Sequence, residues 1–112
     1  MSYQYSNGLC TEALRIMASN DKYESRLVRA FGEMGVSRNG DTSDEIWKEW
    51  KDLDKKYHEV SKKKYELAKG AELPDDLLRE LEDLGQSLVY LCCNWIEYNS
   101  GQIGKGKLRK AS

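Results

Sequence analysis

Ala68-Lys-Gly-Ala-Glu-Leu-Pro-Asp-Asp76, read as AKGAELPDD, separates two long runs of heptad-spaced apolar residues, and its punctuation decides the fold. Gly70 suits a left-handed residue closing one helix, and Pro74 suits the first turn of the next, where its missing N–H is no loss. Upstream, Ile46, Trp50, Leu53, Tyr57, Val60 and Leu67 step by four and three, with Lys64 in the one missing slot, which predicts a helix to about Lys69. Its start is marked by GDTSDEIW, where Thr42 can cap the helix and Glu45 can return the bond three residues on. Downstream, Leu77, Leu81, Leu84, Leu88, Leu91, Trp95 and Tyr98 repeat the alternation and predict a second helix to about Tyr98.

So short a linker makes the two helices antiparallel neighbours. Antiparallel partners have position numbers of constant sum, and pairing from Leu67 with Leu77, through Trp50 with Trp95, to Ile46 with Tyr98 gives 144 or 145 throughout. Charge agrees: residues 55–69 carry six Lys and two Glu, while residues 72–83 carry six acids and Arg79. Side by side they neutralise each other, so the run Lys62-Lys63-Lys64 reads as a solvated, balanced face.

The second helix turns apolar on another side at Val89, Cys92 and Ile96, which need a cover. The N-terminal third supplies two short amphipathic segments, Leu9, Ala13, Leu14 and Met17, then Leu27, Val28, Phe31 and Met34. Asp21, with Glu24 three residues later, marks the start of the second, and Trp47 is placed to meet Phe31. The expected fold is all-α: a small bundle built on a long antiparallel hairpin, with two short N-terminal helices packed at its base. Residues 1–100 form one domain and residues 101–112 a flexible basic Gly/Lys tail. In this arrangement Val60–Leu67 against Leu77–Leu84 is an arm without a third layer. Tyr65, Leu73 and Leu78 are then partly exposed and are the candidate partner-binding residues, for a second protein or a second copy of the chain.

Composition narrows the function. At 33% charged residues, with three Trp and seven Tyr, the chain of 112 residues is polar outside but able to fold as one domain. No apolar run approaches the roughly 18 residues of a membrane span, and Met1-Ser-Tyr-Gln-Tyr5 lacks a signal peptide's basic and apolar regions, so the expectation is a cytoplasmic protein without a membrane partner. Three cysteines, two of them adjacent, read as reduced core thiols. Together with the single His58 they lack the spacing of a zinc site, so no metal or cofactor is expected.

No residue set carries catalysis. His58 follows the inward Tyr57 and so points outward, away from any serine or cysteine nucleophile. Asp75 and Asp76 belong to a helix first turn, where acids stabilise the dipole. GQIGKGKL, Gly101–Leu108, comes close to a phosphate-binding loop, but it follows a helix rather than a strand and has Leu108 where a hydroxyl is needed.

The sequence therefore points to a non-enzymatic protein-binding module, a stoichiometric adaptor or inhibitor acting through helical faces; in size it is like small accessory proteins of viruses and mobile elements. The alternative is a small helical subunit touching nucleic acid within a larger assembly, through Arg15, Arg26, Arg29 and Arg38 and the tail residues Lys105, Lys107, Arg109 and Lys110.

Overall fold

The computed structural model describes the backbone of residues 2–67 and 70–111 and the side chains of residues 3–67 and 70–103. Among these residues there are four α-helices and no strand: α1 (Ser2–Met17), α2 (Tyr23–Met34), α3 (Asp44–Tyr65) and α4 (Asp75–Ala111). The all-α expectation holds. At 37 residues α4 spans about 55 Å, nearly the whole 62 Å length of the molecule.

α4 is the central element. Its heptad residues Leu77, Leu81, Leu84, Leu88, Leu91 and Trp95 are all buried. On the α3 side, Trp47 meets Trp95 edge-on at 6.4 Å and Lys63 bonds Glu80 at 3.3 Å. These contacts ascend one helix as they descend the other, with position sums of 142 and 143.

α1 packs along the second apolar side of α4, where Cys92 is fully buried and Val89 and Ile96 are partly buried. α1 presents Leu9, Cys10, Ala13 and Ile16, all buried, one helical turn apart in pairs. Cys10 lies against Cys92, and both are fully buried thiols. Hydrogen bonding to Cys92, then burial, pushes the Cys10 pKa up and keeps it protonated. The expectation of core cysteines fails at Cys93, which is exposed.

A buried polar cluster fastens α1 and α4 to the α2–α3 loop. The Trp95 indole N–H donates to Ser6 Oγ at 3.0 Å, and Asn99 Nδ2 donates to Ser6 Oγ at 3.0 Å and to the Asp41 carbonyl at 2.8 Å. Ser6 Oγ in turn lies 2.8 Å from the Asp41 carbonyl. The loop is shaped for this: Gly40 takes φ +97°, Asp41 N–H bonds Arg38 O at 3.0 Å, and the Asp41 carboxylate accepts from Arg38 N–H at 2.7 Å.

Several local expectations are corrected. Ser43, not Thr42, caps α3 by accepting from Ile46 N–H at 3.2 Å; Thr42 is drawn inside and buried. Asp21 does not cap α2, which starts without a side-chain cap; its carboxylate is taken by Arg29 at 2.5 Å. α3 ends at Tyr65 rather than near Lys69, because Leu67 N–H bonds back to Lys64 O at 3.2 Å and tightens the final turn while Leu67 packs on the core. Residues 68 and 69 lie outside the described residues; Gly70 has a positive φ of 86°, but it stands beyond Glu66, the C-cap of α3, and so does not close that helix as expected.

α4 runs past the expected end at Tyr98 to Ala111. No proline interrupts it, and the Asn7 amide donates to Ser100 Oγ at 3.4 Å just beyond that expected end. The segment expected to be a tail is thus helical to Ala111 in backbone.

Phe31 does not meet Trp47. It is stacked on Tyr57 at 4.1 Å and on Trp50 at 5.9 Å, so Trp50 faces α2 while Trp47 faces α4. α2 is also not confined to the base. Its first turn reaches the arm, with the Tyr23 hydroxyl donating to Leu81 O at 2.9 Å and Glu24 paired with Lys64. The arm has a third layer, and Val60, Leu81 and Leu84 are buried in it.

Candidate functional site

With α3 on one side of α4 and α1 and α2 on another, a third side of α4 stays open. Its large apolar residue is Tyr90, 71% exposed. Tyr90 stands two positions from Leu88 and one from Leu91, off both buried stripes, so helical geometry turns it outward.

A groove lies along each flank of Tyr90. The first, between α3 and α4, encloses about 570 Å³; Leu53 and Leu91 form its floor and Glu49, Asp52, Lys56, Gln86 and Ser87 its lips. The second, about 450 Å³, lies between α4 and the α1–α2 corner and is mostly apolar, with Met17, Tyr23, Gly85, Val89 and Cys93 around it and Arg26 at its edge. Both volumes fall in the range of binding clefts, roughly 300–1,000 Å³.

Gly85 makes the second groove possible. A Cβ there would stand 2.0 Å from the Tyr23 hydroxyl, so only glycine lets that tyrosine lie against α4. Burial, with Glu82 adding, raises the Tyr23 pKa above the ordinary tyrosine value, and the hydroxyl remains a donor to the backbone. Arg26 is fixed there as well, donating to Met17 O at 2.6 Å with its guanidinium 5.2 Å from the Tyr23 ring centre.

The residues expected to bind a partner lie elsewhere. Tyr65 is 94% exposed and Leu78 is exposed, but Leu73 is half-buried against the core, and none of the three lines a groove beside Tyr90. The arginines proposed for nucleic acid do not gather into an unpaired stripe. Arg15 pairs with Glu12, Arg29 with Asp21, and Arg26 turns inward to Met17; Arg38 sits in the α2–α3 loop. The side chains of Lys105, Lys107, Arg109 and Lys110 lie outside the described residues. His58 faces solvent, its Nδ1 2.7 Å from the Asp54 carbonyl oxygen. Among the described residues no three His, Cys, Asp or Glu side chains are grouped to hold a metal ion, and no helix is long and apolar enough to cross a membrane.

Tyr90 and the grooves were not singled out by sequence reasoning. The signal was present, an aromatic residue on the third side of a helix whose other two sides were already assigned to the core. Comparison of the chain with protein-family models, curated proteins and solved structures finds no match.

Proposed function

We propose that this chain is a non-enzymatic protein-binding module that docks a partner on the open face of α4, with Tyr90 as the anchor and the α3–α4 hairpin as its frame. The observation that carries the reading is a tyrosine 71% exposed between two preformed clefts. An exposed aromatic side chain on a packed helix, flanked by apolar floors and polar lips, has the composition of an interface hot spot. The engaged states of Arg15, Arg26 and Arg29 favour this reading over the nucleic-acid one, since they reduce the free charge available to phosphates.

The test is affinity capture from an extract of the cells that make the protein, with nuclease treatment, using the wild type and Tyr90→Ala. Because Tyr90 is largely outside the core, circular dichroism should show both folded. Loss of capture by at least about tenfold in Tyr90→Ala, unaffected by nuclease, is the expected result for a hot spot. Capture that survives Tyr90→Ala, or that disappears with nuclease, overturns the reading. Self-association through Tyr65 and Leu78 is a separate matter, checked by sedimentation over a dilution series with Tyr65→Ser.

A further inference from the structure

The groove between α3 and α4 has a charge pattern as well as a shape. Glu49 and Asp52 stand on its α3 lip, one turn apart, with Lys56 a turn further on. By helical spacing Glu45 continues the α3 lip and Asp83 the α4 lip, and both are exposed. Two carboxylates line the trough and two more stand one turn beyond it, against the one lining ammonium of Lys56, with Lys48 and Lys55 further round α3; Glu45, Glu49, Asp52, Lys56 and Asp83 have no ion-pair partner among the described residues. Lys63, further along α3, is already held by Glu80. The wider field has the same sign. Removing the cations Lys105, Lys107, Arg109 and Lys110 from a net charge of −1 leaves residues 1–100 at −5.

We infer that this trough takes an amphipathic helix of another protein, with an apolar stripe facing Leu53, Leu91 and Tyr90 and Lys or Arg on its flanks. A groove between two antiparallel helices is linear, so it accepts side chains spaced i, i+3, i+4 and i+7 from a third helix laid lengthwise. Apolar floor and acidic lips match such a helix and repel both an acidic one and a nucleic acid. The inference rests on the protein-binding reading and adds the chemistry of the partner.

The probe is a 14-residue Leu/Lys peptide with leucines at helical spacing, compared with its Leu/Glu counterpart and with a Leu/Lys peptide of scrambled order. Each is titrated into the full-length, ¹⁵N-labelled chain and followed by amide shifts. The expected result is a footprint on residues 49–56 and 86–91 for the ordered Leu/Lys peptide. Its binding should weaken at least tenfold with added salt and at least tenfold in Glu49→Lys/Asp52→Lys; the other two peptides should bind at least tenfold more weakly. Equal binding of all three peptides, a footprint on another face, or an unchanged affinity after charge reversal overturns the inference. So does sedimentation showing that the chain alone dimerises through Tyr90, since a second copy would then be the occupant. If Tyr90→Ala abolishes partner capture while Glu49→Lys/Asp52→Lys does not, the inference falls and the protein-binding reading stands; if neither substitution matters, both fall.

Discussion

Gly85 and Tyr23 show how one missing side chain sets the approach of two helices. Alanine at position 85 gains about 1 kcal/mol of helix propensity over glycine, but its Cβ would overlap the Tyr23 hydroxyl at 2.0 Å. Gly85→Ala should therefore be net destabilising by about 1–3 kcal/mol in urea unfolding, the range of overpacked cores. In a Tyr23→Ala background the same change should become neutral or stabilising. The tyrosine also predicts a pH dependence. Its folded pKa is raised, chiefly by burial, so the neutral hydroxyl contributes stability that is fully present below the unfolded value near 10 and is lost as pH rises through the folded value. Tyr23→Phe should lower stability by about 1 kcal/mol at pH 7 through the lost hydrogen bond, and the gap to wild type should close above pH 10 in chemical denaturation. A gap that stays constant to pH 11 would mean that the folded pKa of Tyr23 is not raised above the unfolded one.

At the scale of elements, the start of α3 separates two adjacent hydroxyls by what they bond. Ser43→Ala removes the acceptor for Ile46 N–H and should cost about 0.5–2 kcal/mol, as measured by thermal or denaturant unfolding. Thr42→Val should cost less or nothing, since Thr42 Oγ1 is buried with no hydrogen-bond partner. Sequence could not choose between them, because both fit a cap followed by acids and the choice depends on a loop pulled inward by Ser6 and Asn99. The long helices themselves were legible. Heptad spacing survives any tertiary detail, and the positive φ at Gly70 follows from local sterics. Less legible was which helix covers which stripe. Trp47 and Trp50 are three residues apart, and periodicity leaves their partners interchangeable until α2 is placed; the reach of Tyr23 to α4 depends on Gly85, whose emptiness has no periodic signature. The candidate site was hidden for a related reason, since exposure of Tyr90 is defined by where three other helices are not.

For the whole molecule, thiol chemistry reports the integrity of the α1–α4 interface. One thiol, Cys93, should react rapidly with an excess of a thiol reagent in the native protein, while Cys10 and Cys92 react only on unfolding, because both are fully buried. Two or more fast thiols in the native state would show α1 detached from α4. That interface also dictates when the fold can close. Ser6, near the start of the chain, is held by Trp95 and Asn99, and Met17 lies near Gly85. On a ribosome adding about 5–20 residues per second, roughly 70 residues must be made after Met17 before Gly85 exists, an interval of about 4–14 s. Throughout it the stripe of Leu9, Cys10, Ala13 and Ile16 has α2 beside it but lacks α4, against which Cys10 packs on Cys92. α1 waits for α4 to complete its cover, so the core closes only once the first half of α4 has been made, and a message truncated before Gly85 yields a chain in which α1 has α2 alone as a partner.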